Sequence, residues 1–279
     1  MNEHIQTVCT KAIRMSNAYR CLLPNVNGPT FLKRLLIIHA IMSVIFYGVT
    51  TWASAISVKK NVNIIRKTLR PLKRSLCCSY RTVSDFSLDV LSGIQPANLL
   101  VKKKKLMTLY KDRKDQIEEE INEEWKEIWN KNNSDRWLKT LIKNFDEWIY
   151  RKHGNVDFYI TQFMTGHGNF QRYLYKTKNC ESPYCISCTD RIEDSVEHTF
   201  FECSHFVKER LELEALMNQP LNKDTIVKLM LESKQNWNMV RRYIKRILDI
   251  KKWVQNRQHT IPRADDMPPG NSGNNHQTN

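Results

Sequence analysis

Four residues between positions 185 and 203 constrain this chain more than any other short stretch. Cys185 and Cys188 stand three apart, His198 follows after nine intervening residues, and Cys203 after four more, giving C-x2-C-x9-H-x4-C. Two thiols on a tight turn can share one ion. A following His and Cys complete a tetrahedron of soft and borderline donors, the shell Zn2+ prefers. Such a clasp matters most where apolar surface is scarce, because structural zinc contributes on the order of 10–16 kcal/mol at neutral pH. Pro183 before the first pair supplies a turn, and Phe200, Phe201 and Phe206 around the second supply a small core. Four protein donors imply a structural zinc, with no open position for catalysis. A redox C-x-x-C would need a strand before it and a helix after it, and neither is evident. His205 and Cys180 remain open as competing ligands, while His167 between Gly166 and Gly168 reads as a backbone turn.

The other cysteines, Cys9, Cys21, Cys77 and Cys78, lack His or acidic partners and read as core thiols. Residues 1–15 contain Glu3, Lys11 and Arg14 and no apolar run of signal-peptide length. The expected compartment is therefore intracellular and reducing, nuclear by preference, where clustered cysteines act as ligands rather than disulfides.

Charge is divided as sharply as the cysteines. Residues 1–114 hold 20 Lys/Arg against 4 Asp/Glu, whereas the remaining 24 Lys/Arg face 25 Asp/Glu, so the net +15 comes entirely from the first part. A field of one sign on one module attracts polyanions, and nucleic acid is the expected partner, RNA or DNA. The candidate phosphate contacts are Lys59, Lys60, Arg66, Lys67, Arg70, Lys73, Arg74, Arg81 and the run Lys102, Lys103, Lys104 and Lys105. Tyr80, Phe170 and Tyr173 are candidates for stacking on unpaired bases, with core packing the plainer alternative. Residues 35–58 are free of Asp, Glu, Lys and Arg over a length that can span a bilayer. Ser43, Gly48, Thr50, Thr51, Ser54 and Ser57 dilute that stretch, and it reads as a buried helix pair with no membrane partner. No small-molecule substrate is expected.

Apolar periodicity predicts a mainly α fold with almost no strand outside the Cys/His segment. A helix is expected over residues 2–22, stopped by the Pro and Gly of residues 24–29, and another from about Thr30. A basic helix follows Asn61 with Val62, Ile65, Leu69 and Leu72 on one face and Pro71 as its kink or end. Thr82-Val83-Ser84 caps a short helix closed by Gly93-Ile94-Gln95-Pro96, and a further helix starts near Ala97. Five segments result: a basic helical region (1–112), an acidic Trp-rich helical hairpin (113–154), the zinc-knuckle region (155–215), C-terminal helices (216–257) and a disordered Pro/Gly/Asn-rich tail (258–279). In the hairpin, Ile117, Ile121, Trp125 and Ile128 form one stripe, and Trp137, Leu138, Leu141, Phe145, Trp148 and Ile149 the other.

Several short motifs in order resemble a known family. Residues 24–29 (PNVNGP), Lys33-Arg34-Leu35-Leu36, Tyr47-Gly48 and Trp52 resemble the thumb-side region of non-long-terminal-repeat (LINE-type) retrotransposon reverse transcriptases, especially the type that inserts into ribosomal RNA genes. Tyr80-Arg81-Thr82-Val83-Ser84, then residues 91–96 (LSGIQP), resemble the next stretch of that region. Residues 165–170 (TGHGNF), Tyr173-Leu174 and the Cys185/Cys188/His198/Cys203 set with Glu197 and Arg210 resemble its C-terminal CCHC knuckle. The resemblance covers about residues 5–215. It implies a thumb gripping a template–primer duplex, a knuckle that helps bind RNA or target DNA, and the rest of a longer polymerase as a possible partner.

Polymerase chemistry itself needs paired aspartates on a β-hairpin to hold two metal ions. Ala264-Asp265-Asp266 follows Arg263 in the tail with no flanking strands, so a catalytically inert C-terminal fragment is expected. The alternatives are a zinc-stabilised protein-interaction module with the Trp-rich hairpin as its docking surface, and a relic without function.

Overall fold

The apolar stripes fold into helices, and the fold is mainly α. The computed structural model describes residues 1–260, with side chains as far as Gln255. The tail expected to be disordered and the Ala264-Asp265-Asp266 run lie outside the described residues, apart from the first positions of that segment. Among the described residues there is no β-strand, only an isolated antiparallel bridge between Tyr184 and Glu193.

Helix α1 (Asn2–Tyr19) lays Ile5, Cys9 and Ala12 inward and ends in a 3-10 turn before the proline-rich bend. Helix α2 (Phe31–Phe46) and the short α3 (Val49–Trp52) with its 3-10 extension form a pair bent by 50° at Gly48, which takes the left-handed conformation. No single helix is long and apolar enough to cross a membrane, although this bent pair passes by length and composition. Its apolar side is buried: Ile38, Ile41, Ile45 and Trp52 are at most 1% exposed and pack with α1 and α4 (Lys59–Cys77).

Pro71 does not end α4, one of the two outcomes expected of it from the sequence, but lies inside the helix. A proline in a helix interior costs about 3 kcal/mol, but Leu69, Leu72 and Leu76 on either side are fully buried and hold the helix to Cys77. Cys78 then turns the chain in the left-handed region.

Two buried cations fix this half. Arg34 is 1% exposed and has no carboxylate partner among the described residues. Its guanidinium donates instead to four carbonyls: Pro29 at 2.9 Å, Leu23 at 3.1 Å, Ser75 at 2.9 Å, and Pro24. The fork thus ties the 24–29 bend to the end of α4, using the planar five-donor geometry that only arginine has. Gly28 is required there, since a Cβ would lie 2.0 Å from the Pro24 carbonyl and 2.4 Å from the Arg34 fork. Lys73 is equally buried. Its ammonium donates to Asp89 at 2.5 Å and to the Gln95 carbonyl at 2.9 Å. The bond joins α4 to α5 (Asp85–Ser92), which Ser84 caps as expected, its hydroxyl accepting from the Ser87 N–H. Burial outweighs the attraction of Lys73 and pushes the Asp89 carboxyl up to about 6.

Helix α6 (Ala97–Leu109) leads into the acidic α7 (Lys114–Lys131), and the two pack side by side. The second arm of the expected hairpin is two short helices, α8 (Arg136–Leu141) and α9 (Phe145–Ile149). Asn144 causes the break: its side-chain oxygen accepts from the Asp146 and Glu147 N–H groups and starts α9 afresh. Trp125, Trp129 and Trp148 are buried. Helices α10 (Phe158–Thr165) and α11 (Gln171–Lys176) precede the Cys/His loop. Then come α12 (Val207–Met217), α13 (Ile226–Glu232) and the long α14 (Lys234–Thr260), whose Trp237, Val240, Ile244 and Ile247 are buried.

The apolar clusters cut across the five sequence segments. One joins α1, α2, α3, α4 and α6. The other runs from Cys77 through the Trp-rich helices and the Cys/His loop to Leu248, so α14 and the loop share one core.

The Lys73–Asp89 pair yields a stability test. Lys73→Met strands a buried carboxylate and is expected to cost about 3–5 kcal/mol. The double change Lys73→Met/Asp89→Leu should recover most of that loss. Urea denaturation of the two variants measures both.

Candidate metal centre and basic surface

The Cys/His loop has little regular structure of its own. Cys185 donates its N–H to the Ile192 carbonyl, and Asp194 to that of Pro183, so residues 183–194 form a short closed loop that presents Cys185 and Cys188 from one side. His198 opens a π-turn over His198–Glu202, in which the Cys203 N–H reaches the His198 carbonyl at 2.7 Å. A five-residue turn of this kind is rare and places residues i and i+5 together. That is why four intervening residues suit the His198…Cys203 pair.

The four side chains converge. Cys188 Sγ lies 3.5 Å from His198 Nε2 and 3.6 Å from Cys203 Sγ, and Cys185 Sγ lies 3.9 Å from Cys203 Sγ. All four donor atoms fall within 4.8 Å of one another, a group that can hold one metal ion. The contact between Cys185 and Cys203 holds the Cys185 thiol well below its ordinary range, while the same contact and burial drive Cys203 up. His198 is 3% exposed, and its Nδ1 has no hydrogen-bond partner among the described residues, the nearest carboxylate being Glu202 at 3.8 Å.

The two competing ligands stay out of this group. His205 is exposed and lies edge-on to Phe206, and the Cys180 thiol is directed at the Gln171 and Ser182 carbonyls. His167 belongs to a turn, its Nδ1 2.8 Å from the Thr165 carbonyl, after Gly166 ends α10 in the left-handed region.

A residue that the sequence reading did not single out anchors the turn. Asp194 is 1% exposed and accepts from the Gln171 N–H at 2.8 Å, the Thr199 hydroxyl at 2.7 Å and the Lys251 ammonium at 2.6 Å. It joins α11, the π-turn and α14. Tyr243 on α14 adds a hydroxyl bond to the Phe200 carbonyl at 2.5 Å, and Arg210 donates to the Cys203 carbonyl at 3.4 Å. The signal available in the sequence was weak, an Asp five residues before a Thr.

The basic surface differs from the sequence list. Lys59, Lys60, Lys67, Arg81 and Lys104 are exposed and Lys105 is half-buried, and none of the six has a carboxylate partner among the described residues. Lys73 is corrected: it is 5% exposed, bound to Asp89, and cannot reach a phosphate. It falls four residues after Leu69 and three before Leu76, on the apolar face of α4. Lys103 pairs with Glu118 at 2.8 Å and Lys102 with Glu124, so acidic α7 neutralises part of the 102–105 run. Arg66, Arg70 and Arg74 form an i, i+4 row on α4, with Arg66 and Arg70 sharing Asp85. Arg74 is half-buried; burial, with Arg70 and Arg81 beside it, lowers its pKa, and its Nε has no hydrogen-bond partner among the described residues. Of the stacking candidates, Phe170 is in the core, Tyr80 is half-buried against Phe158 and Tyr173, and Tyr173 is partly open. Trp125, Trp129 and Trp148 point inward and are not offered to a partner.

No family model, curated protein or solved structure matches this chain.

Asp194→Ala leaves Lys251 and two other donors without their acceptor in a nearly closed site. The expected loss is about 3–5 kcal/mol of stability, read as a fall in the denaturation midpoint. A variant as stable as the native chain contradicts the anchoring role.

Proposed function

We propose that this chain is a nucleic-acid-binding helical module whose Cys/His half is held by one structural Zn2+, equivalent to the thumb and C-terminal knuckle of a non-long-terminal-repeat reverse transcriptase. The partner is RNA or DNA, and the reading assigns the chain no catalytic step. One observation carries it: the guanidiniums of Arg66, Arg70, Arg74 and Arg81 gather on one face with a single carboxylate, Asp85, among them. Lys59, Lys60 and Lys67 extend the same helix without counterions among the described residues. Like charges crowded at a half-buried position destabilise a fold unless an anion meets them. Phosphates in a row suit both the spacing and the fork geometry of arginine.

The donor set supports zinc in particular. Bonds of 2.3 Å to sulfur and 2.0–2.1 Å to nitrogen give a tetrahedron with S···S edges of about 3.8 Å and S···N edges of about 3.6 Å. The observed 3.6 and 3.9 Å, and 3.5 Å, are close to those edges. Cys185, Cys188, Cys203 and His198 Nε2 would hold the ion, leaving His198 Nδ1 toward Glu202 as an outer carboxylate of the kind that orients metal-bound histidine. The metal would supply a cross-link and no chemistry.

Metal analysis of the purified chain should give one zinc per molecule, and Cys188→Ser should abolish it. Hydrogen exchange in that variant should rise across residues 183–206 and α10 while α1, α2 and α4 stay protected. Zinc well below one per native chain removes the assignment. For the basic face, affinity for duplex should fall steeply with salt, log K changing by about 0.9 per phosphate neutralised for each log unit of salt. Lys59→Glu/Lys67→Glu/Arg81→Glu should lower that slope by about three phosphate equivalents. An unchanged slope contradicts the reading.

A further inference from the structure

Residues far apart in sequence meet in a groove of about 640 Å3 between the Thr82–Ser84 turn, the start of α8, the Gly166–Gly168 turn, α11 and the strand of chain leading to His198. Its wall carries four rings, Trp137, His167, Tyr173 and the largely buried Phe170, and three cations, Arg136, Arg172 and Lys176. Trp137 is held by its Nε1–H donating to the Phe163 carbonyl at 2.8 Å, and the His167 and Tyr173 rings meet edge to face at 5.0 Å. Tyr173 is fixed at its other end by a 2.7 Å bond between its hydroxyl and that of Thr82. These rings are set before any ligand arrives, which lowers the ordering cost of binding.

The charges point to an anion. Arg136 and Lys176 are exposed and without a carboxylate partner among the described residues, and Arg172 meets Glu193 only at 3.5 Å. Of the two acids of the groove, Glu197 is paired with Lys223 at 2.5 Å, whereas Asp135 accepts from the Ser84 hydroxyl at 2.7 Å and keeps its charge, so three cations face one uncompensated carboxylate. Burial lowers the His167 pKa, so its ring faces the groove as a neutral aromatic surface at pH 7.

We propose that this groove binds an unpaired segment of a nucleic-acid strand, with one base against the His167/Tyr173 rings and its flanking phosphates on Arg136, Arg172 and Lys176. Rings interleaved with cations in a concave site are how proteins hold single strands, because every base has a face to stack and every linkage a charge. A volume within the usual range of small-ligand sites is enough for a nucleotide or two. The groove is distinct from the α4 face, and it shares its wall with the metal loop through Ser195, Val196 and Glu197. The proposal rests on the nucleic-acid reading above but assigns unpaired and paired strands to different surfaces.

Fluorescence anisotropy with the zinc-loaded full chain, a labelled single strand of about 8 nucleotides and a labelled duplex separates the two. Arg136→Glu/Lys176→Glu, both exposed positions, should weaken single-strand binding at least about tenfold and change duplex binding by less than about twofold. Tyr173→Ala should also weaken single-strand binding, and Tyr173→Phe should restore most of it, since the ring remains and only its bond to Thr82 is lost. The Lys59→Glu/Lys67→Glu/Arg81→Glu protein should show the opposite pattern. Single-strand affinity that survives the groove changes, or falls equally with duplex affinity, overturns the groove assignment and leaves the α4 reading standing. Competition by a glutamate-rich peptide as effective as the oligonucleotide overturns it in favour of a protein ligand. A native chain that binds neither strand form overturns both.

Discussion

Residues 177–195 contain no helix and only one isolated bridge, so apart from the two backbone bonds that close residues 183–194 little in their own backbone fixes them. Their place is set by attachments at the base. Three thiols and an imidazole converge within 4.8 Å, and Asp194 gathers an amide, a hydroxyl and an ammonium from three elements. The first attachment closes the loop on itself, and the second fastens it to α14. Since Phe200, Cys203 and Phe206 belong to the same apolar cluster as Trp148, Ile160 and Ile244, a loop released from these attachments would also open the side of the larger core. A small loop able to hold a metal ion in this position is part of the packing of the whole C-terminal half.

The electrostatics follow a similar economy. Carboxylates of α7 meet Lys102 and Lys103 on the neighbouring α6, and Asp85 meets Arg66 and Arg70, which leaves Lys104, Lys105, Lys59, Lys60 and Lys67 of these two helices without a carboxylate partner among the described residues. Exposed pairs such as these contribute little to stability. Their effect is on shape: they narrow a diffuse basic region to a strip. Inside, by contrast, the two buried cations are fully occupied, Arg34 by carbonyls and Lys73 by a carboxylate and a carbonyl. Net charge counted along the chain therefore overstates what α4 and α6 present to a polyanion, and the arrangement of the remaining cations matters more than their number.

Much of the helical frame could be read directly because the signals were local. Thr30 preceding α2, Ser84 capping α5 and Gly93 ending it involve groups within a few residues. The four-residue cluster was legible for the same reason, each half being a short-range turn. Three features were missed or left open where local rules conflict. Pro71 lowers helix propensity at one position, whereas the tertiary burial of its neighbours decides the outcome. Asn144 lies inside an apolar period, yet its side chain captures two amides and divides the arm. Lys73 was counted by its charge although its spacing from Leu69 and Leu76 puts it on the buried face, and only Asp89, from another helix, makes that placement tolerable.

The groove between Thr82, Trp137, His167 and Tyr173 could not be read at all, because it exists only after α8, α11 and the turn before α5 have been packed together. Its formation depends on both apolar clusters. Cys77 and the residues of α5 belong to the larger one, while Leu69, Leu72 and Leu76 of α4 belong to the smaller, so the end of α4 carries the turn at residues 78–84 from one core to the other. The Thr161 hydroxyl donates to the Cys77 carbonyl at 2.6 Å and holds α10 against that hinge point. The arginine row and the ring-lined groove are thus fixed to the same end of the same helix. On the proposed nucleic-acid reading, a strand that runs along α4 as duplex and continues unpaired would meet the two surfaces in succession.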